Sequence, residues 1–335
     1  MHGAVEECPR RRMMLRHILA VAATLLISEE ASAQAFPSRP LTIIVGVAPG
    51  GTLDTLARLV AASLTTDFKQ PVIVENVVGA GGLIGFQRLL KADPNGYTLM
   101  FSNPSMVLIP LLYPKAGIDA VSDVEHVGQV ATVPMVLAVS NSSGITSLPS
   151  MLARMRDGSL KPDLGSGGPG TTSHLAEALF LLLAKGAGQL VQYRGSGPAI
   201  TDLMAGTIDG IIDQTVTLMQ LHQGQRIKAI ALAAPRRIPQ MPDVPTFAEG
   251  GLPAFDFTIW NGVFAPKGTP KAVMAALSEA LSRVIDRPEF KARLEQMAAQ
   301  APAPSERGSD ALRQIVQTDQ KRLAGIAQST GLQAR

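Results

Sequence analysis

Two hydrophobic patterns alternate along this chain of 335 residues. Short apolar runs rich in β-branched residues are typical of strands, and longer segments with apolar residues at every third or fourth position are typical of amphipathic helices. The predicted strands are 41–47, 72–76, 97–101, 127–130, 134–140, 190–193, 208–212 and 227–232. The predicted helices are 53–66, 83–91, 148–156, 173–184, 197–205, 271–285, 288–299 and 309–327. This alternation predicts an α/β fold with helices on both faces of its sheets.

The clearest strand-to-helix junction is the segment 45–54, which reads Val-Gly-Val-Ala-Pro-Gly-Gly-Thr-Leu-Asp. The apolar run ends at a Pro-Gly-Gly turn, and Thr52 is predicted to be the N-cap of the helix that follows. Unpaired backbone N–H groups and the helix dipole make such a junction a binding site for an anion. A triphosphate loop is excluded because no Gly-Lys-Ser/Thr follows the turn. The junction therefore predicts a site for a small anion, which we expect to be a carboxylate.

Two further glycine-rich loops precede predicted helices. The segment 164–174 contains four glycines, which allow close approach of the backbone, and hydroxyl side chains at Thr171, Thr172 and Ser173. The segment 193–198, Tyr-Arg-Gly-Ser-Gly-Pro, places a proline in the first turn of the next helix. Taken alone, each loop is more simply explained as an ordinary turn with a capped helix, because capping motifs are common.

The first 35 residues predict a cleaved signal peptide (1–35) rather than part of the fold. Basic residues precede an apolar run at 18–27 that is too short to span a bilayer, and small residues after it supply a cleavage site. We expect cleavage after Ala33 or Ala35 and export to the periplasm. The single cysteine, Cys8, lies in this segment, so the mature protein is expected to have no disulfide and no cysteine nucleophile.

Charge and composition argue against several functions. The formal net charge is +3 and aromatic residues make up 4% of the chain, so nucleic acid is not an expected partner. Neither Ser166 nor Ser196 lies in a Gly-x-Ser-x-Gly motif, and the segment 79–85 lacks the third glycine of a dinucleotide-binding loop. No second histidine lies at metal-ligand spacing from His174. We therefore predict no catalytic residue, no metal and no cofactor.

Eight short segments, in order and in register, carry a resemblance to a known family. They are Pro40–Asp54, Pro71–Asn76, Gly79–Gly82, Asp93–Leu99, Thr172–Leu175, Tyr193–Ser196, Pro242–Thr246 and Ala265–Pro270. Together they extend over nearly all of the chain after residue 36. On these residues the chain resembles the Bug family of extracytoplasmic solute receptors, which are the substrate-binding proteins of tripartite tricarboxylate transport systems.

The resemblance implies a fold and a function. The implied fold is the type II periplasmic-binding-protein fold, an α/β architecture of two lobes joined by two crossover strands. Lobe 1 would be discontinuous, at 36–137 and 259–335, and lobe 2 would be 138–258. The implied function is a monomeric periplasmic receptor that binds a small organic acid or acidic amino acid in the cleft between the lobes. The receptor would then deliver this ligand to integral membrane permease subunits.

The resemblance also implies the ligand-binding residues. The loops 48–54 and 165–173 would hold one carboxylate of the ligand through backbone and hydroxyl donors. The implied ligand-binding residues are Gly51, Thr52, Asp54, Ser102, Gly170, Thr172, Ser173, Arg194, Gly195, Ser196 and Asp213.

Several alternatives stay open at this point. Asp54 either contacts the ligand or stabilises the first turn of its helix, since it would repel a carboxylate ligand. Asp213 either receives a ligand amino or hydroxyl group or holds a neighbouring loop. Arg194 either meets the far end of the ligand or faces solvent, and His174 is expected to pack or cap locally. At the level of function, the alternatives are a receptor that presents its ligand to a membrane sensor and an exported hydrolase with a dispersed triad.

Overall fold

The computed structural model describes residues 36–332. The predicted signal peptide and its cleavage sites lie outside the described residues. From Arg39 onward the chain forms one compact unit. None of the helices in residues 36–332 is both long enough and apolar enough to cross a membrane.

Nine strands and ten α-helices, numbered here in chain order, make up the described part of the chain. The strands are β1 (Leu41–Val45), β2 (Val72–Asn76), β3 (Thr98–Ser102), β4 (Val124–Val139), β5 (Asp163–Ser166), β6 (Gln189–Gln192), β7 (Gly210–Gln214), β8 (Lys228–Ala233) and β9 (Thr258–Pro266). The helices are α1 (Thr52–Phe68), α2 (Leu83–Leu90), α3 (Ser105–Leu112), α4 (Leu148–Arg156), α5 (Thr172–Ala184), α6 (Ser196–Ala205), α7 (Thr215–Gln223), α8 (Lys271–Asp286), α9 (Pro288–Gln296) and α10 (Gly308–Thr330).

The strands are arranged in the order β2-β1-β3-β9-β4-β7-β5-β6, and β8 pairs with β4 as well. Long strand β4 changes partners along its length. Its first part, 124–134, pairs with β9, and its last part, 135–139, pairs with β7 and β8. Strand β1 is parallel to β2 and β3, and β5 is parallel to β6 and β7. The proposed lobe boundaries near residues 137 and 259 stay a prediction.

Strand β1 illustrates why the apolar runs become central strands. Leu41, Ile43 and Val45 have no exposed surface, because β1 lies between β2 and β3 and is covered by α1. Leu56 and Val60 on α1 are equally buried. Burial of each such side chain stabilises the fold by roughly 1.5–3 kcal/mol. This packing fixes the end of β1 and the start of α1 relative to each other.

Two predicted strands, 127–130 and 134–140, are one continuous strand in the structure. Their separation in the sequence has a physical origin, because the pairing of β4 with β9 shifts register between His126 and Gly128 and again between Gln129 and Ala131. Each shift interrupts the regular alternation of side chains that predicts a strand.

Two helices and two strands are absent from the predicted elements. Helix α3 is apolar at nearly every position and contains Pro110, so it shows no amphipathic period. Helix α7 begins with Thr-Val-Thr, and β-branched residues favour strands. Strand β5 has only four residues, one of them glycine. Strand β9 was expected only as a crossover segment near 258–264.

His126 on β4 is a fully buried imidazole, and neither ring nitrogen has a hydrogen-bond partner among the described residues. Its ring packs edge-on against Phe264 of β9, with 5.4 Å between the centroids. Burial, with a further contribution from the positive charge of Arg313, lowers the pKa of His126 to about 4.

We expect the free energy of unfolding to fall as the pH drops from 6.5 towards about 4. In that range the unfolded chain binds a proton at His126 and the native state does not. The contribution of His126 to the free energy of unfolding is therefore fully present above pH 6.5 and is lost progressively as the pH falls towards about 4. The loss amounts to at most about 3.5 kcal/mol, at about 1.4 kcal/mol per pKa unit. Urea unfolding of the wild type and His126→Gln at neutral and acidic pH measures it. An equal fall in both proteins would assign the effect to other groups.

Candidate functional site

Five strands direct their carboxyl ends towards one small polar cavity. A short connection leads from β1, β3, β5, β6 and β7 to the N-termini of α1, α3, α5, α6 and α7, respectively. The cavity between these N-termini has a volume of about 30 Å³. It is lined by Val47, Gly51, Thr52, Leu53, Asn103, Ser105, Gly167, Thr171, Thr172, Ser173, Gly195, Ser196, Asp213 and Gln214. Helix N-termini carry unpaired N–H donors and a partial positive charge, so this position favours an anion.

Helix α1 begins at Thr52 with Gly51 as its N-cap, so the prediction of Thr52 as the N-cap is wrong by one position. Gly51 has no side chain to cap the helix, which leaves N–H groups of the first turn available to a ligand. The Thr52 side chain is buried in the cavity wall, and its hydroxyl has no hydrogen-bond partner among the described residues. This hydroxyl can donate to a carboxylate.

Two hydroxyl groups at the start of α5 stabilise their own loop. Oγ1 of Thr171, the N-cap residue, accepts from the N–H of His174 at 3.4 Å and donates to the carbonyl of Gly168 at 2.8 Å. Oγ of Ser173 accepts from the N–H of Gly167 at 2.8 Å and forms a 3.1 Å hydrogen bond with Thr171. Because the Thr171 proton is used on Gly168, Ser173 is the donor in that bond. The Ser173 hydroxyl proton is therefore occupied within the loop.

Thr172 is the third hydroxyl residue at the start of α5. It is the first residue of α5, is 6% exposed and lines the cavity. Gly170 does not line the cavity, although it was a predicted ligand residue. It shapes the turn instead, since its φ is +83° and a Cβ there would lie 2.9 Å from Leu112. The N–H of Gly170 donates to Nδ1 of His174 at 3.4 Å, which supports the predicted local role of that histidine.

Both carboxylate oxygens of Asp54 are occupied by neighbouring groups. Oδ1 accepts from Nδ2 of Asn76 at 2.9 Å, Oδ2 accepts from the N–H of Gly50 at 3.1 Å, and Nε of Arg58 donates to both oxygens. Burial raises the pKa of Asp54, but the hydrogen bonds from Arg58, Asn76 and Gly50 outweigh it and hold the pKa below its usual value. Asp54 does not line the cavity. These contacts favour its role in stabilising the first turn of α1.

Asp213 lies at the end of β7, is 3% exposed and lines the cavity. Its Oδ1 accepts from the N–H of Gln214 at 2.6 Å, whereas Oδ2 has no hydrogen-bond partner of standard geometry among the described residues. Burial raises the pKa of Asp213, and this effect exceeds the opposite effects of the Ser196 hydroxyl, the Gln214 N–H and the Thr217 hydroxyl. Asp213 is therefore a buried acid in the wall of the cavity.

A second, larger cavity of about 490 Å³ adjoins the small one, and both are lined by Val47, Gly167 and Thr171. Arg194 is exposed and lines the larger cavity. Among the described residues that line the larger cavity, Arg194 is the only one with a cationic side chain. A ligand whose first carboxylate lies in the small cavity would extend towards Arg194.

The structure also identifies cavity residues that sequence reasoning missed. Ser102 is part of β3 and does not line the cavity, whereas Asn103 and Ser105, at the start of α3, do. Both were visible as polar residues after a predicted strand. Gln214 lines the cavity as well, but the predicted strand ended at residue 212 and gave no signal for it.

Glycines bring loops from the two sides of the cavity into contact. A Cβ on Gly81 would lie 2.2 Å from the carbonyl oxygen of Pro169, and a Cβ on Gly195 would lie 2.9 Å from Cβ of Ala48. These loops follow different strands, β2 and β5 in the first contact, β6 and β1 in the second. Only glycine permits such a close approach of these loops at Gly81 and Gly195.

The arrangement is suited to holding an anion. Within residues 36–332, no group of three or more His, Cys, Asp and Glu side chains could hold a metal ion. The described lining of the small cavity contains hydroxyl, amide and backbone donors and one acid, but no lysine, arginine or histidine.

Comparison with known proteins places the chain among solute receptors. Residues 56–332 match the family TctC, whose description is "Tripartite tricarboxylate transporter family receptor". The chain is 30% identical to the periplasmic binding protein BugD, with a TM-score of 0.85 over 90% of this chain and 100% of BugD. It is 32% identical to MatC from Rhodopseudomonas palustris with bound malate, with a TM-score of 0.83 over 87% and 99% of the two chains. It is 28% identical to R. palustris Rpa4515 with adipate, with a TM-score of 0.84 over 88% and 98%.

The fold and the site define a solute-binding protein of the periplasmic-binding-protein class, with an α/β fold of type II architecture. The chain belongs to the tripartite tricarboxylate transporter receptor family, which includes the Bug proteins. The family and the fold predicted from sequence are thereby confirmed. This family consists of receptors rather than enzymes.

Proposed function

We propose that this protein is a monomeric periplasmic receptor that binds a small carboxylate and delivers it to the integral membrane permease subunits of a tripartite tricarboxylate transporter. The observation that carries the proposal is the convergence of five helix N-termini on one polar cavity. The relatives MatC and Rpa4515 hold malate and adipate, both of which are dicarboxylates.

The sizes of the two cavities support one binding mode. A volume of about 30 Å³ admits a carboxylate group but not the body of an organic acid. The first carboxylate therefore enters the small cavity, where Thr52, Thr172 and first-turn N–H groups donate to it. The rest of the ligand occupies the larger cavity, and a second carboxylate meets Arg194.

A thermal-shift screen tests the receptor function. Malate, succinate, adipate, L-aspartate and benzoate are added to the mature protein, and each acid is matched with its uncharged amide. A binding acid should raise the unfolding temperature with increasing concentration, since a ligand at 100 times its Kd stabilises the native state by about 2.7 kcal/mol. The matched amides should have no effect. Equal shifts with acids and amides, or none with any acid, would contradict a carboxylate receptor.

Two further observations would separate this function from its alternatives. Genes for a large and a small membrane subunit beside the gene for this chain would favour transport over presentation to a sensor. Turnover of generic esters would favour an exported hydrolase. Export to the periplasm rests on the predicted signal peptide and is tested by sequencing the N-terminus of the protein from the periplasmic fraction.

A further inference from the structure

The small cavity presents an electrostatic problem for the ligand proposed above. Asp213 lines it, and no lysine, arginine or histidine is among the described lining residues. When Asp213 is ionised, its charge already offsets part of the positive potential from the surrounding helix N-termini. A ligand carboxylate in the same volume of about 30 Å³ would place a second negative charge beside the first. Two carboxylates that share one site cannot both remain ionised without a large cost, so one of them takes up a proton.

Among the described residues, no cationic side chain contributes to the pKa shift of Asp213. Glu177 on α5 is the charged neighbour, and it is an acid with no exposed surface. Its Oε1 accepts from the N–H of Ile212, at 3.2 Å, and Oε2 has no partner among the described residues. Burial, together with the charge of Asp213, raises the pKa of Glu177 well above its usual value, and the N–H of Ile212 offsets only part of this. The direction of this shift favours the protonated, neutral form of Glu177.

The other elements packed against β7 bring no positive charge to this carboxyl group. Strand β4 places the apolar Val136 opposite Asp213, and β5 pairs with β7 only through Leu164. Helices α6 and α7 contribute the hydroxyl groups of Ser196 and Thr217. Among the described residues that line the cavity, Asp213 is thus the one acid that can share a proton with a ligand there.

We propose that the receptor binds one proton together with its carboxylate ligand, and that this proton resides on Oδ2 of Asp213, from which it forms a hydrogen bond to the ligand carboxylate. The inference rests on the proposed carboxylate receptor function. A neutral acid that donates to a carboxylate makes a short, strong hydrogen bond, so Asp213 changes from a repulsive group into a donor. The burial that raises the pKa of Asp213 in the empty site assists this uptake. Ligand affinity then increases as the pH falls.

Calorimetric titration with adipate tests this inference, because adipate has no amino group that could take the place of the proton. Titrations of the wild type at pH 6.5, 7.5 and 8.5, in buffers of different ionisation enthalpy, measure both Kd and proton uptake. We expect Kd to rise by up to about tenfold per pH unit, with close to one proton taken up per adipate bound. A Kd that is the same at all three pH values, with no dependence of the enthalpy on the buffer, would overturn the inference.

Two variants locate the proton. Asp213→Asn carries a permanent amide donor of the same shape, so we expect it to bind adipate at pH 8.5 as tightly as the wild type does at pH 6.5, with no pH dependence. Glu177→Gln should keep the pH dependence of the wild type. Loss of the pH dependence in Glu177→Gln would indicate that the proton resides on Glu177 and would overturn its assignment to Asp213.

L-aspartate provides the contrasting arm of the experiment. Binding of L-aspartate that is abolished in a folded Asp213→Asn protein, together with adipate binding to the wild type without proton uptake, would show that Asp213 acts as a carboxylate for a ligand ammonium group. That result would overturn the inference and leave the receptor function intact. Failure of the folded wild type to bind any of these acids at any pH would instead overturn the receptor function itself.

Discussion

Replacement of Thr172 by aspartate is expected to weaken carboxylate binding at least tenfold. The Thr172 side chain is 6% exposed, lines the small cavity and is not used in the hydrogen bonds of its own loop, unlike those of Thr171 and Ser173. Loss of one hydrogen bond to a charged group costs roughly 1.5–3 kcal/mol, which corresponds to about 10- to 150-fold in Kd. Repulsion between the new carboxylate and the ligand adds to this loss.

The Thr172→Asp protein should nevertheless fold. Aspartate is tolerated in the first turn of a helix and interacts favourably with the helix dipole, and Thr172 is the first residue of α5. Thr172→Ser keeps the hydroxyl and is expected to retain most of the affinity. Calorimetric titration of both variants with the best acid from the thermal-shift screen, with circular dichroism as a folding control, tests whether Thr172 binds the ligand or only forms part of a capped turn. Near-native binding by folded Thr172→Asp would leave this loop as a capped turn outside the site.

The start of α1 shows what local sequence patterns can and cannot predict. The alternation of apolar runs with amphipathic segments was sufficient to predict β1 and the helix after it, because both are regular and their apolar faces are buried. The exact cap was wrong, since Thr52 and Gly51 are both acceptable N-cap residues and the choice depends on the tertiary position of the loop. Helix α3 could not be predicted at all, because it is buried on all sides and its sequence therefore lacks a polar face.

The candidate site also combines features that can be predicted from local sequence with features that cannot. The family resemblance implied Thr172, Ser196 and Asp213 as ligand-binding residues, and all three line the cavity. Local glycine-rich turns before helices drew attention to the loops of Thr172 and Ser196 only. The role of each polar group could not be predicted, since it depends on contacts between distant segments. Asn76, for example, is 22 residues away from Asp54 in the chain, yet its amide occupies the carboxylate that the sequence offered as a ligand contact.

Gly81 provides the second test with a large expected effect, because it lies where two loops meet beside the cavity. Its φ is +64°, and a Cβ on it would lie 2.2 Å from the carbonyl oxygen of Pro169. Backbone atoms cannot rotate away as a side chain can, so Gly81→Ala must push the loop 165–173 outward. Overpacking of this kind costs roughly 1–3 kcal/mol, and we expect ligand affinity to fall by about 5- to 150-fold. Small-angle scattering with ligand should show a larger radius of gyration for Gly81→Ala than for the wild type.

Gly117→Ala is the matched control for this prediction. Gly117 has nearly the same backbone conformation, with a φ of +61°, but a Cβ there would meet nothing within 4 Å. Both variants therefore carry a similar conformational penalty of about 1–2 kcal/mol. Urea unfolding of the ligand-free proteins should show this loss in both, with the overpacking cost in addition for Gly81→Ala. Only Gly81→Ala obstructs the contact with Pro169, so only Gly81→Ala should bind the ligand more weakly. An equal loss of affinity in the two variants would attribute the effect to backbone strain, and unchanged affinity in Gly81→Ala would show that ligand binding does not require these loops to meet.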